Sequence, residues 1–284
     1  MLKKIDRAKV FLKAHAQVFA CPICHEKMQA TESGLVCAHH HRFDLSKKGT
    51  LYFLKSQLKS DYDAKLFAHR ARMIQGGMYD PLLEVLAKDL NQAKVLDIGC
   101  GEGSFLAKLT QKVTPALTVG FDIAKEGIYQ ASNHTQFDQA FWCVADLTNL
   151  PFADQSFDCV ISRYSAHHWQ NVGQAMQDIH RVLKPHGKVI FVDILGSGQP
   201  ILDTFLQTIE MIRDPSHVRD YSLQEWMQFA EYAGFQVEQV EKQVLHLDFD
   251  SWVSRMQTPA SGVETIRSLQ GKVSDMVKQH FQIQ

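Results

Sequence analysis

The sequence predicts an α/β protein, a Rossmann-like, doubly wound and mostly parallel sheet preceded by a small N-terminal cysteine–histidine module. Three observations lead there. From Lys94 to Val192, short apolar runs alternate with helical stretches, the rhythm of βαβ units whose crossovers cover both faces of one sheet. The first of those runs ends in a glycine-rich turn, Asp97-Ile-Gly-Cys-Gly-Glu-Gly103. Ahead of them, Cys21, Cys24 and Cys37 crowd together with histidines in a stretch too short to bury a core of its own.

Taken in order, residues 4–18 place Ile5, Ala8, Phe11 and Leu12 at helical spacing and predict a short amphipathic helix. Short strands and turns follow over 19–54, then a polar linker over 56–63. A helix over Tyr62–Gln75 stops at Gly76-Gly77, and another opens at Pro81, a residue suited to a first helical turn. Strands are predicted over Lys94–Ile98, Leu117–Asp122, Ala140–Val144, Cys159–Ser162 and Lys188–Val192, with helices near 103–112, 123–132 and 171–184. In the tail, Ser222 with Glu225 and Ser261 with Glu264 have capping-box spacing. Phe235–Val240 and Val244–Phe249 read as two more strands forming an antiparallel edge.

Of 284 residues, 45% are hydrophobic and 21% charged, and no apolar run reaches the ~18 residues that a membrane span requires. Charge interrupts the apolar residues of the first fifteen positions, unlike a secretory leader, so the expectation is a cytoplasmic protein with no membrane partner. The net charge of −1 hides an asymmetry. Residues 1–72 hold fourteen Lys and Arg against six Asp and Glu, while the remainder is net acidic. A basic arm on an acidic body suits a polyanion partner; the alternative is a solvated surface.

Cys21-Pro-Ile-Cys24 is followed, after twelve intervening residues, by Cys37 and then by His39, His40 and His41. Three thiolates and one imidazole complete a tetrahedral zinc site, and a closed set of four ligands is structural rather than catalytic. His41 is the expected fourth ligand, with His39, His40 and His25 as competitors. Bound metal would also explain how so small a segment folds.

The glycine turn spaces its residues as Gly99-x-Gly101-x-Gly103, unlike the GxGxxG of dinucleotide binders. Glycines there permit a tight turn and the close approach of a ligand. Asp97, at the end of the first strand, suits a ligand carrying an ammonium group better than one carrying a pyrophosphate. Asp122, at the second strand tip, can hold both ribose hydroxyls of an adenosine, and Asp146, past the third, can accept from an adenine amino group. Cys100, Ile123 and Leu147 adjoin these positions and complete the expected nucleoside site.

This ordered set resembles the class I S-adenosylmethionine-dependent methyltransferases. The resemblance implies Asp97 and the Gly99–Gly103 loop around the methionine part of S-adenosylmethionine, Asp122 on the ribose and Asp146 near the adenine. From about residue 19 to Pro151, the chain is similar to one family within that class. CPIC-x12-CxxxH, Phe43-Asp-Leu-Ser-Lys-Lys-Gly49 and Arg70–Tyr79 resemble the zinc-finger-bearing 23S rRNA guanine-N1 methyltransferases. In that family the zinc module is thought to contact RNA, which makes Lys27, Arg42, Lys47, Lys48, Lys55, Lys59, Arg70 and Arg72 candidate phosphate contacts. The expected borders are 1–56 for the zinc-finger module, 57–90 for a helical linker and 91–284 for the methyltransferase domain, with a substrate or lid region from about 196.

The second half follows a different pattern. Ser162–Trp169, Arg213–Arg219 and Tyr221–Trp226 look more like quinone-type, small-molecule methyltransferases. His167 or His168 could serve as a general base and Tyr164 and Trp169 could stack on a flat acceptor; one histidine could equally cap a helix while Trp169 fills the core. Arg213, His217 and Arg219 form either a polar lid or an ordinary salt-bridged surface. The expected function is methylation of guanine N1 in large-subunit ribosomal RNA, which would be the partner, with a homodimer left open. The alternatives are a small-molecule methyltransferase whose zinc module is structural, and an RNA-binding protein that has lost catalysis.

Overall fold

The structure, a computed structural model, describes residues 2–54, 64–77, 79–88, 90–134 and 140–283. The whole of the expected linker 56–63, with Lys59, lies outside them, as do Lys55 and residues 78 and 89 of the 57–90 span. The chain divides into two compact units, Met1–Arg163 with Gln177–Val192, and Tyr164–Met176 with Asp193–Gln284.

The first unit opens with helix α1 (Lys4–His15), which buries Ala8, Phe11 and Leu12, the positions its periodicity selects. Strands β1 (Met28–Ala30), β2 (Gly34–Cys37) and β3 (Arg42–Asp44) form an antiparallel three-stranded sheet, a small ribbon. Strand β4 (Leu51–Tyr52) leaves this ribbon and becomes the edge of the main sheet.

Helices α2 (Ala64–Gln75) and α3 (Asp80–Leu86) follow, the latter with proline in its first turn. Then come β5 (Lys94–Ile98), α4 (Ser104–Lys112), β6 (Leu117–Asp122), α5 (Lys125–Ala131), β7 (Ala140–Val144), β8 (Phe157–Arg163), α6 (Val172–Val182) and β9 (Leu183–Val192). The main sheet has the order β4-β7-β6-β5-β8-β9, with every pair parallel. Strand order reverses beside β5, so the crevice between the carboxyl ends of β5 and β8 is where such a sheet takes a ligand. The central strands read as continuous apolar runs because both faces are covered: Val95, Leu96, Val119, Phe141 and Val160 are all buried.

The ribbon shares its core with this sheet. Leu51 pairs with Cys143 across the β4–β7 ladder, Phe19 bridges to Phe152, and the Ala20 amide donates to the Pro151 carbonyl at 3.1 Å. Phe19 is completely buried among Phe53, Phe141 and Phe152, and Phe11 of α1 stacks on Phe141 at 5.0 Å.

The second unit is helical: α7 (Pro200–Arg213), α8 (Leu223–Tyr232), α9 (Phe249–Arg255), α10 (Ala260–Lys272) and α11 (Asp275–Phe281). Its core joins Leu202, Phe205 and Ile209 of α7 to Trp252, Ile266 and Val277. Ser222 and Glu225 form the expected capping box at α8, whereas α10 starts at Ala260, one residue ahead of the second expected box. The two strands expected over 235–249 do not form. Residues 235–248 carry neither helix nor strand, and Val237, Val240, Val244 and Leu247 are exposed. Apolar alternation makes a strand only where a neighbouring edge supplies ladder hydrogen bonds, and among the described residues no strand pairs with this segment.

Candidate functional site

Gly99, Gly101 and Gly103 all adopt left-handed backbone, with φ of 66°, 58° and 81°. That conformation explains why the turn between β5 and α4 is spelled with glycine. A Cβ on Gly103 would also lie 2.7 Å from the Trp142 ring, so the residue is fixed twice, by backbone and by space.

The turn is tied to the next strand. The Gly101 amide donates to Asp122 Oδ2 at 2.9 Å, the Ala124 amide donates to its Oδ1 at 2.8 Å, and the Cys100 amide donates to the Phe121 carbonyl at 3.0 Å. Asp122 thus joins the glycine loop to the tip of β6. Ile123 follows it, 43% exposed, an apolar surface beside an acid at the strand end. Asp146 lies past β7, where its Oδ1 accepts from the Thr148 amide at 3.0 Å and caps the turn containing Leu147. A glycine cradle, a rim carboxylate and a bare aliphatic face suit a nucleoside with a ribose diol.

Asp97 is placed differently from a rim acid. It is completely buried, and both oxygens accept from Arg163 Nη2, at 2.9 and 3.3 Å. Burial pushes its carboxyl up to about 6, and the guanidinium at its side keeps it ionised at neutral pH. Arg163 ends β8 and lies 3.8 Å from the Phe105 ring centroid and 5.4 Å from that of Tyr79. The pair clamps β5 to β8 at the switch point. The sequence offered Arg163 only as a letter in the Ser162–Trp169 segment, because its partner is 66 residues away.

Past β8 the chain enters the second unit at Tyr164, a non-glycine residue at φ 47°. His167 is held by one residue. Asp193 accepts from the Ala166 and His167 amides through Oδ2, at 2.8 and 3.3 Å, and from His167 Nδ1 through Oδ1, at 2.5 Å. His167 Nε2 has no hydrogen-bond partner among the described residues. Burial lowers the imidazole pKa, but the hydrogen bond and charge of Asp193 outweigh it and hold His167 above its ordinary value.

His168 is committed elsewhere: its Nδ1 donates to the Ser216 carbonyl at 3.0 Å, and Asp214 lies 3.9 Å from Nε2. Trp169 is buried, its indole N–H donating to Ser165 Oγ at 3.1 Å. Arg213 pairs with Glu210, Arg219 with Asp203 and Glu225, and His217 meets Gln207 Oε1 at 3.1 Å. Asp193 is the residue that the sequence reading passed over; its signal was an acid directly after an apolar run, the feature that marked Asp122.

In the ribbon, the ligand atoms of Cys21, Cys24, Cys37 and His41 all lie within 4.8 Å of one another. A tetrahedron with zinc–sulfur bonds of ~2.3 Å has sulfur–sulfur edges of ~3.8 Å and sulfur–nitrogen edges of ~3.5 Å. The observed edges are 3.7 Å for Cys24–Cys37 and 3.4 Å from His41 Nδ1 to both Cys21 and Cys37. The donor set and its spacing fit structural zinc, with His41 rather than its neighbours as the fourth ligand. Of the expected phosphate contacts, Lys27, Arg42, Lys47, Lys48 and Arg72 are exposed, and the side chain of Arg70 lies outside the described set.

Comparison with known proteins gives two family matches. Residues 96–191 match the model of a methyltransferase domain, and residues 19–61 match the N-terminal zinc ribbon of RlmA. Escherichia coli YafE is 46% identical over 136 residues, 48% of this chain and 66% of that protein. Bacillus subtilis YxjB, provisionally named a 23S rRNA (guanine-N1)-methyltransferase, is 34% identical over 72% of each chain. Bacillus subtilis YcgJ, named a methyltransferase, is 34% identical over 66% of this chain and 75% of its own. Its crystal structure superposes with a TM-score of 0.66 at 31% identity, over 70% of this chain and 86% of that one.

Proposed function

We propose that this chain, which belongs to the class I S-adenosylmethionine-dependent methyltransferases and carries an RlmA-type N-terminal zinc ribbon, methylates N1 of a guanine base in large-subunit ribosomal RNA. The observation that carries the reading is the ribbon itself: a metal-braced module with Lys27, Arg42, Lys47 and Lys48 exposed, fused to the edge of the catalytic sheet. A module of that charge has a use against phosphates and none against a neutral metabolite. The name of YxjB, which shares 72% of its length with this chain, supports the same substrate.

The bound cofactor supplies a methyl group already activated as a sulfonium, so the protein's work is alignment, water exclusion and handling of one proton. The Gly99–Gly103 backbone would hold the methionine part, and the Asp97–Arg163 pair fixes the ends of the strands that carry it. Asp122 would take the ribose hydroxyls, and Ile123, Asp146 and Leu147 would hold the adenine; what supports this is their position at the strand tips beside the glycine loop. Guanine N1 carries a proton that leaves on methylation. His167 Nε2 accepts it, while Asp193 holds the ring through Nδ1 and stabilises the imidazolium. Tyr164, directly after β8, is the residue proposed to stack on the acceptor. Action on ribosomal RNA places the protein in the cytoplasm.

The test is transfer of tritium from labelled S-adenosylmethionine to ribosomal RNA from a strain lacking the enzyme. Labelling at a single guanine is expected. Unlabelled RNA together with a labelled cell-metabolite extract would overturn the assignment in favour of a small acceptor, the reading that the Ser162–Trp169 segment favours.

A further inference from the structure

Helix α2 packs against α4 and α5, the helices that follow the glycine loop and the tip of β6. Of its described side chains, Leu66, Phe67 and Ile74 are buried. Its C-terminal end is anchored by Lys108 of α4, whose Nζ donates to the Ile74 carbonyl at 3.0 Å and to Asp80. Towards its start, the anchor is Phe67, whose ring lies between two glycines. A Cβ on Gly101 would be 3.4 Å from Phe67 Cε1. A Cβ on Gly127 would be 2.8 Å from Phe67 Cζ and 2.9 Å from the Gly101 carbonyl oxygen. Gly127 stands inside α5, where glycine is a poor helix former, and this close approach is the reason for it.

The ring meets the loop at the residue on which the rim depends. Gly101 sits at φ 58°, and its amide donates to Asp122 Oδ2 at 2.9 Å. Three left-handed glycines within five positions give a loop many conformations when nothing holds it, and each must be given up on binding. Contacts from outside the loop lower that cost by fixing it beforehand. Trp142 of β7 supplies one such contact at Gly103. Phe67 supplies another at Gly101, from a helix that precedes the whole sheet motif in sequence.

We propose that Phe67 is a positioning residue for the cofactor: its ring holds the glycine loop in the conformation that binds S-adenosylmethionine, so that cofactor binding and the docking of α2 depend on each other. Phe67 acts through Gly101 and the bond from Gly101 to Asp122, and not by contact with the reacting atoms. The dependence runs both ways. A docked α2 favours the cofactor, and by thermodynamic linkage the cofactor favours a docked α2 to the same extent. The proposal holds for any methyl acceptor and rests on the placing of the cofactor at the glycine loop.

The experiment titrates S-adenosylhomocysteine into the full chain by calorimetry, comparing the native protein with Phe67→Ala and Phe67→Leu. Phe67→Ala should raise Kd by about tenfold, the size of an ordinary coupling between sites, and Phe67→Leu should raise it less. In hydrogen exchange, S-adenosylhomocysteine should slow the α2 amides of the native chain and slow them less in Phe67→Ala, a change that a purely structural residue would not produce. Ile74→Ala removes packing about 10 Å further along the same helix and should leave Kd near the native value. An equal rise in Ile74→Ala would overturn the role of Phe67 in favour of α2 as a whole. An unchanged Kd in both Phe67 variants overturns the proposal, and so does a lower one, because the ring would then fill space that the cofactor needs. If Phe67→Ala loses its zinc and its melting transition, Phe67→Leu decides by the same criteria. Asp122→Ala tests the placing beneath: it should bind far more weakly, and native affinity there would remove the cofactor from the glycine loop.

Discussion

The rim of the sheet and the segment after β8 are built from different materials. Along the rim, the contacts are backbone contacts: three left-handed glycines, and Asp122 receiving two main-chain amides. In the segment after β8, the contacts are pairs of side chains distant in sequence, His167 with Asp193 and His168 with the 214–216 turn. Backbone geometry tolerates few residue types, so it constrains which letters can stand there. A side-chain pair can be made in many ways, and each partner alone looks ordinary. The ribbon belongs with the rim in this respect, because metal geometry also dictates identity and spacing.

The largest effect expected from this contrast is at the ribbon. Cys37→Ser, or stripping zinc with a chelator, removes a site of the kind whose binding free energy is on the order of 10 kcal/mol. Because Phe19, Phe53 and Phe141 belong to one aromatic cluster, the loss should reach β7 and lower the melting temperature of the whole first unit. Metal analysis with calorimetry checks this; a native melting temperature in zinc-free protein would show that the aromatic cluster suffices alone.

Next is the segment after β8. His167→Ala should lower kcat by about 10²–10⁴ while leaving S-adenosylhomocysteine affinity intact. Asp193→Asn should spare part of the rate and move the rising limb of the pH profile to lower pH, since Asp193 raises the His167 pKa. A profile that does not move would demote Asp193 to a backbone clamp. Arg163→Ala leaves Asp97 charged and unpaired in a dry site and should cost about 3–5 kcal/mol, read from urea unfolding. A loss below about 1 kcal/mol would mean that water reaches the site, since exposed pairs are worth no more.

How much could be read in advance follows the same division. The strands from β5 to β9, the glycine loop, Asp122 and all four zinc ligands were legible, because each rests on a local rule of spacing or backbone conformation. The Asp97–Arg163 clamp was not, because its two partners stand 66 residues apart. Nor was the bond that sets His167 apart from His168, which comes from Asp193 26 residues on. The strands expected over 235–249 failed for a related reason: the alternation was visible, but the partner edge that a strand requires is not a property of the segment.

A smaller effect sharpens the rim side. Gly103→Ala forces a Cβ to 2.7 Å from Trp142 at a left-handed φ, and should cost about 1–3 kcal/mol in stability. Cofactor affinity should fall more than with Gly173→Ala, where the nearest atom to an added Cβ is a side-chain oxygen at 3.6 Å. Equal behaviour of the two variants would mean that the loop yields.

The smallest effect is a pH dependence inside the second unit. Asp220 is buried, and its Oδ2 has no hydrogen-bond partner, with His217 Nε2 3.9 Å away. Burial, then the charge of Glu210, pushes its carboxyl up to about 8, against the pull of His167. An unfolded aspartate titrates near ~3.9, so the folded chain binds a proton that the unfolded chain releases. The stability contributed by the protonated carboxyl is therefore complete below about pH 4 and is lost as pH rises toward 8. Asp220→Asn cannot titrate and escapes this loss. Its melting temperature relative to the native chain should climb steadily between pH 5 and pH 8, whatever the offset at the acid end. A constant difference across that range would mean that Asp220 is ionised in the fold, and that the histidines around it carry the compensating charge.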